Sequence, residues 1–155
     1  NLLSKIRYLV RGCGCDFIVL DHISIVVSGL EGGDERRIID NTMTKLRGLV
    51  EELNCGMILI SHLKRPSGDK GHEDGAQTSL AQLRGSAAIG QLSDIVIGLE
   101  RNQQDKDNSN ISDVRVLKNR WSGDTGIACH LSYSVDTGRM TETYWEDEDE
   151  EEIEF

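Results

Sequence analysis

Leu2, Leu3, Ile6, Leu9 and Val10 recur at helical spacing, which predicts a helix over residues 2–10 with one face turned inward, stopped by Gly12 and Gly14. Phe17-Ile18-Val19-Leu20 is then an unbroken apolar, β-branched run ending in Asp21. A strand covered on both faces of a parallel sheet needs such a run. A glycine-containing loop over Ser28–Gly33 follows, and Asp34 stands where a helix N-cap would, with Glu35 in the first turn. From there Ile39, Met43, Leu46, Val50 and Leu53 recur every three or four residues, predicting a helix of about five turns. Gly56 opens a second apolar strand, Met57-Ile58-Leu59-Ile60, which ends at Ser61-His62.

Residues 64–79 (KRPSGDKGHEDGAQTS) are polar and hold three glycines and the only proline, so a mobile loop is expected there. A short helix around Ala81–Ser93 leads into a third buried strand, Ile95-Val96-Ile97-Gly98-Leu99. After a second polar loop over residues 102–110, Val114–Lys118 and Ile127–Tyr133 pair as a hairpin around Trp121-Ser122-Gly123-Asp124-Thr125-Gly126. No internal repeat is present. Strand, helix, strand, short helix, strand predicts an α/β domain with a mostly parallel sheet. Such sheets bind ligands at the carboxyl ends of their strands, and those ends carry Asp21, His62 and Arg101.

Charge alters this picture in one place. The chain has 27 acidic and 17 basic residues, a net of −10, but residues 146–155 (EDEDEEEIEF) contribute eight acids and no base. Residues 1–145 are therefore nearly neutral, which excludes a uniformly basic nucleic-acid binder but leaves room for a local basic loop. No apolar run reaches the roughly 18 residues needed to cross a bilayer, so no membrane role is expected. The N-terminal residues lack the apolar core and cleavage site of a secretory signal. Cys13, Cys15, Cys55 and Cys129 form no CxxC pair and favour reduced thiols over a disulfide framework, hence a cytoplasmic setting.

Asp21, after four apolar residues, has the pattern of a Walker B acid that holds a magnesium ion beside a nucleotide's phosphates; a strand-end aspartate capping a turn has the same pattern. His62 could hydrogen-bond a terminal phosphate, or be satisfied by backbone at its strand end. Lys118 and Arg120 lie two apart and would project from one strand face, where an anion between them would relieve their repulsion. A solvated strand face is the plainer alternative.

Four segments in order, FIVLDHISIVVSG (17–29), LISHLKRP (59–66), LRGSAAIGQLSDIVIGLERNQQ (83–104) and LKNRWSGDTGIA (117–128), resemble successive motifs of the hexameric replicative DNA helicases with a RecA-like motor. The likeness is closest to the bifunctional primase-helicases of short-tailed coliphages, with DnaB-type and Twinkle helicases more distant. It covers about residues 3–140 and implies a RecA-like P-loop NTPase core over 1–140 followed by a disordered acidic tail over 141–155. It further implies nucleoside triphosphate (ATP or dTTP) as substrate, Mg2+ held by Asp21, His62 as sensor of the terminal phosphate, and Arg120 with Lys118 reaching a neighbouring subunit's nucleotide. Arg101 and Tyr133 match positions that sandwich the base. Lys64, Arg65 and Lys70, with Arg84, Gly85 and Ser86 opening the short helix, match regions that grip single-stranded DNA in a ring of six subunits. Backbone contacts of this kind carry no base information.

Two features depart from the family. No GxxxxGK[ST] phosphate loop occurs in the chain, so it resembles the C-terminal part of a motor truncated before its Walker A segment. Gly90 stands where the phage relatives carry a basic residue. The tail ends in Phe155, and a terminal aromatic on an acidic tether resembles the device by which the phage helicases dock on the replicative DNA polymerase. Placed in a phage, such a protein works in the bacterial host cytoplasm. Two other classes remain open on the residues alone: a recombination mediator or accessory ATPase that binds DNA without unwinding it, and a catalytically inactive interaction module.

Overall fold

Asp34 caps the longest helix of the protein as expected, its side chain accepting a hydrogen bond from the amide of Arg36 (3.1 Å) at the start of α3 (Glu35–Leu53). The helix ends where Asn54 takes up a left-handed conformation. These features belong to a computed structural model that describes residues 1–28, 34–66, 70–85 and 87–144. Ser86 and Phe155, with the rest of the acidic stretch from residue 145, lie outside the described residues. The chain divides into two units, Asn1–Arg65 with Ser79–Asp94, and Pro66–Thr78 with the residues from Ile95 onward.

The first unit packs helices on a pair of parallel strands. α1 (Leu2–Arg7) runs on as wider π-helical turns over Tyr8–Gly12; then come β1 (Phe17–Leu20), α2 (Ile23–Ser28), α3, β2 (Gly56–Leu59) and α4 (Ala88–Leu92). Ile39, Met43, Leu46 and Leu49 of α3 are buried against Ile6, Ile18, Ile23, Val27, Leu83 and Ile89. The buried stripe thus takes in Leu49, one position before the expected Val50, which is only half-buried. Arg47 clasps Asp94 (2.6 Å) and Glu51 (2.7 Å) on the half-buried flank of the helix. β1 and β2 pair in parallel with Phe17 opposite Gly56 and Leu20 opposite Leu59. On their other face Phe17, Val19 and Ile58 are all more than half exposed.

The short helix expected over Ala81–Ser93 is divided. A 3-10 turn at Leu80–Gln82 is closed by a capping box between Ser79 and Gln82, Leu83 then bridges Leu63, and α4 begins only at Ala88. Gly85 is the reason. Its φ of +96° is open only to glycine, and a Cβ there would lie 2.3 Å from Cδ1 of Ile39.

The second unit is a four-stranded antiparallel sheet, β3 (Ile95–Glu100), β4 (Ile111–Asn119), β5 (Gly126–Ser134) and β6 (Arg139–Thr143), in spatial order β3-β4-β5-β6. This corrects the expectation of a mostly parallel sheet: among the described residues only β1 and β2 are parallel. Residues 101–110 are too few for the crossover that a parallel partner of β3 requires, so the chain turns back. Nor is β3 buried on both faces, since Ile95, Ile97 and Leu99 are exposed while Gly98 and Glu100 are buried. β6 pairs with β5 as far as Thr143, beyond the expected boundary at residue 140.

The part of the expected mobile loop from Gly71 to Thr78 is fastened to this sheet. The Gln103 amide donates to the Glu73 carbonyl (2.9 Å), and Asp74 bridges Asn102. Thr78 is buried against β3 at Gly98, where a Cβ would meet the Thr78 hydroxyl at 2.1 Å. Glu100 Oε1 accepts from the Thr78 amide and hydroxyl (both 2.7 Å) and from Arg115 Nε (2.8 Å), while Oε2 accepts from Arg115 Nη2 (3.2 Å). Burial pushes the Glu100 carboxyl up, but hydrogen bonds from Arg115 and Thr78, with the Arg115 charge, outweigh it and hold the group below its ordinary value of 4.5. Its folded-state value lies below the unfolded one, so its stabilisation is complete above the ordinary range and fades as pH falls through the lower folded value. Glu100→Ala should cost about 3 kcal/mol near neutral pH, because it strands a partly buried guanidinium. In urea denaturation, the gap between the variant and the unsubstituted protein should narrow below about pH 4; a gap constant with pH would contradict this account.

Candidate functional site

In the first unit the parallel register brings two expected residues to one end of the sheet. The Ile60 amide donates to the Leu20 carbonyl (2.9 Å) and the Ile23 amide to the Ile60 carbonyl (3.1 Å), so Asp21 and His62 leave neighbouring strand tips. Asp21 is exposed, and among the described residues no donor engages its carboxylate. A hard oxygen ligand at a strand tip suits Mg2+, which takes one or two carboxylates plus phosphate oxygens and water. No group of three His, Cys, Asp or Glu side chains among the described residues could form a protein-only metal cage.

His22 was not singled out by the sequence, yet it stands at this site. Its ring meets that of His62 edge to face, with centroids 4.2 Å apart and planes at 81°. Its Nδ1 is buried without a hydrogen-bond partner. The only available signal was its place directly after a strand-end acid.

The residues after His62 are clipped to those before α4. The Lys64 amide donates to the Gln82 carbonyl (2.7 Å), the Arg84 amide to the His62 carbonyl (3.1 Å), and Leu63 bridges Leu83. Lys64 and Arg84 are exposed, with Gly85 beside them, so these three expected DNA contacts gather next to His62. One expectation needs correcting: Arg84 and Gly85 do not open a helix, because α4 starts three residues after Arg84's neighbour, and the Arg84 amide is already used by His62. Any phosphate contact from Arg84 must come from its side chain. Ser86 and Phe155, which also belong to the expected sites, are outside the described residues.

The second unit carries Lys70, Arg101, Lys118, Arg120 and Tyr133. Lys70 is exposed at the edge of the Gly71–Gly75 turns. Arg101 Nε donates to the Ser109 carbonyl, and the Tyr133 amide donates to the next carbonyl, that of Asn110 (2.9 Å). Asn110 also donates from Nδ2 to Ser132 Oγ (3.0 Å), so one short segment links the two expected base-stacking residues. Lys118 is half-buried on β4, whereas Arg120 is exposed one residue beyond the strand's end. Alternation along a strand therefore does not govern Arg120. The turn that carries it is built by Asn119, whose Oδ1 accepts from the amides of Trp121 (3.1 Å) and Ser122 (3.4 Å).

All four cysteines are free thiols, and no helix among the described residues is long and apolar enough to cross a membrane.

Similarity to known proteins agrees with these features. Residues 1–142 match the family described as DnaB-like helicase C terminal domain. A DNA helicase/primase of Enterobacteria phage T3 is 53% identical over 138 residues, covering 89% of this chain and 24% of that protein. A probable plasmid replicative DNA helicase of Chlamydia trachomatis is 27% identical over 146 residues, covering 94% of this chain and 31% of its own. The chain thus spans less than a third of the length of these relatives. Among solved structures, a DnaB-like replicative helicase studied for its interactions with primase has a TM-score of 0.72 at 22% identity, covering 90% of this chain and 34% of that one. A KaiC-like protein of Pyrococcus horikoshii OT3 has a TM-score of 0.64 at 16% identity, covering 93% and 56%. These likenesses establish the RecA-like α/β fold, and the match over residues 1–142 establishes that the chain belongs to the DnaB-like helicase C-terminal domain family.

Proposed function

We propose that this chain is the C-terminal portion of the motor of a ring-shaped replicative DNA helicase, which couples nucleoside triphosphate hydrolysis to translocation on single-stranded DNA and to duplex unwinding. The observation that carries the reading is the delivery of Asp21 and His62 to adjacent parallel strand tips by the β1–β2 register, in a chain of this family.

Asp21 would hold Mg2+, which would offset the charge of the ATP or dTTP phosphates, and His62 hydrogen-bonds a γ-phosphate oxygen. Water attacks the γ-phosphorus, the bond to the β–γ bridging oxygen breaks, and the products are nucleoside diphosphate and inorganic phosphate. Arg120, supplied by a neighbouring copy in a ring of six, neutralises charge on the phosphoryl oxygens as that bond breaks, with Lys118 beside it. Arg101 and Tyr133 flank the base, an arrangement tolerant of base identity because every base offers a π-face. The phosphate loop comes from sequence outside these 155 residues, since no GxxxxGK[ST] occurs within them.

Lys64, Arg84, Gly85 and Ser86, and separately Lys70, contact single-stranded DNA, and the cations among them neutralise backbone phosphates without reading sequence. The acidic tail ending in Phe155 docks a basic patch on the replicative DNA polymerase, in the bacterial host's cytoplasm if the gene is phage-borne. Residues as far as Thr143, the end of β6, act as motor and those beyond it as tether.

In the intact protein, Arg120→Ala should lower DNA-stimulated hydrolysis by about 10³-fold or more while nucleotide affinity changes only a few-fold. Turnover close to that of the unsubstituted protein would defeat the assignment. Asp21→Asn should weaken the Mg2+ dependence of nucleotide binding, read by titrating Mg2+ at fixed nucleotide, because an amide oxygen is a poorer ligand for a hard cation. Unwinding of a forked duplex separates the helicase from a mediator that hydrolyses nucleotide on DNA but leaves the duplex intact.

A further inference from the structure

We propose that His22 is a positioning residue for hydrolysis: its imidazole buttresses the His62 ring and fixes the direction in which His62 meets the terminal phosphate. The proposal rests on the reading of His62 as the phosphate sensor.

Three observations converge on it. The rings of His22 and His62 are in edge-to-face contact at 4.2 Å, a favoured geometry for two flat π-systems. The peptide that follows His22 is anchored at both its groups, since the Ile23 amide donates to the Ile60 carbonyl (3.1 Å) and the His22 carbonyl accepts from the Ile25 amide (3.2 Å). The ring therefore stands on a fixed base tied to the strand that carries His62. Finally, Nδ1 of His22 is buried with no hydrogen-bond partner among the described residues, so no hydrogen bond at that atom holds the ring, while the His62 ring packs against it.

An unpaired buried ring nitrogen is a cost to folding that an apolar side chain of similar size would avoid. A histidine at this position is thus poorly explained by stability. His62 is exposed, and an exposed imidazole can turn about two side-chain torsions. A ring pressed against one of its sides removes part of that freedom before the nucleotide arrives. Pre-orientation of this kind raises the rate of the chemical step more than it tightens ground-state binding.

The test uses the intact protein with DNA-stimulated hydrolysis, nucleotide KM and thermal midpoint measured for His22→Ala, His22→Phe, His62→Ala and the double substitution His22→Ala/His62→Ala. His22→Ala should lower kcat about tenfold with KM within twofold and the midpoint little changed. His22→Phe, which keeps a ring edge and gives up the unpaired nitrogen, should recover most of kcat. In the double variant the loss should equal that of His62→Ala alone, because a buttress has no effect once its ring is gone. An additive loss, or a normal kcat in His22→Ala beside an impaired His62→Ala, overturns the proposal. Normal hydrolysis in His62→Ala would instead overturn the sensor reading itself, a distinct outcome.

Discussion

The parallel ladder between β1 and β2 is the constraint on which the candidate site depends. Parallel strands present their carboxyl ends on the same side, so a polar residue placed just past each apolar run emerges beside its counterpart. Leu20 opposite Leu59 fixes that relation to the residue, and the bond from Ile60 to Leu20 extends it past the last paired position. A slip of one residue would turn the exposed and buried faces over and send Ile18 out of the core. The apolar packing of α3 against Ile18 therefore specifies the spacing of Asp21 and His62 as well as the stability of the unit.

In the second unit a buried carboxylate has the corresponding part. Glu100 gathers Thr78 and Arg115 on one face of the sheet, and Gly98 leaves the space that lets Thr78 approach. Through this contact a polar segment that would otherwise have few apolar anchors is held to β3. The hairpin beyond it needs no such device, because Asn119 shapes its own turn and leaves Arg120 at the tip. Asp21 and His62 in the first unit, and Arg101 and Arg120 in the second, thus each stand just past a paired strand.

Much of this was readable in the sequence, and the failures have physical causes. Asp34, the α3 stripe and the apolar runs of β1 and β2 were legible because periodicity and capping act locally. β3 was misread because an apolar run does not reveal whether one face or two are covered, nor the direction of its partner. α2 went unseen since Ile23–Ser28 is rich in β-branched residues and reads as strand. β6, whose sequence is Arg-Met-Thr-Glu-Thr, has almost no apolar signal and exists through its pairing with β5. At the site, Asp21 and His62 could be placed because acid and imidazole each end a strand. His22 could not, since its significance lies in a ring contact forty residues away along the chain. Arg84 and Gly85 were expected to open the short helix because sequence does not show that the Arg84 amide is taken by the His62 carbonyl.

The clip between residues 62–64 and 82–84 has a mechanical meaning. Two backbone hydrogen bonds and a bridge join the strand end bearing His62 to the segment bearing Arg84, and one of those bonds ends on the His62 carbonyl itself. Backbone bonds of this kind are short and directional, so a load that reaches the Arg84 backbone passes directly to the peptide of His62. Gly85 supplies a pivot immediately beyond the clip, braced against α3 through Ile39. Under the proposed function, a pull on DNA held at Arg84 and a change in what His62 touches would be two ends of one lever, with work passing along it in either direction.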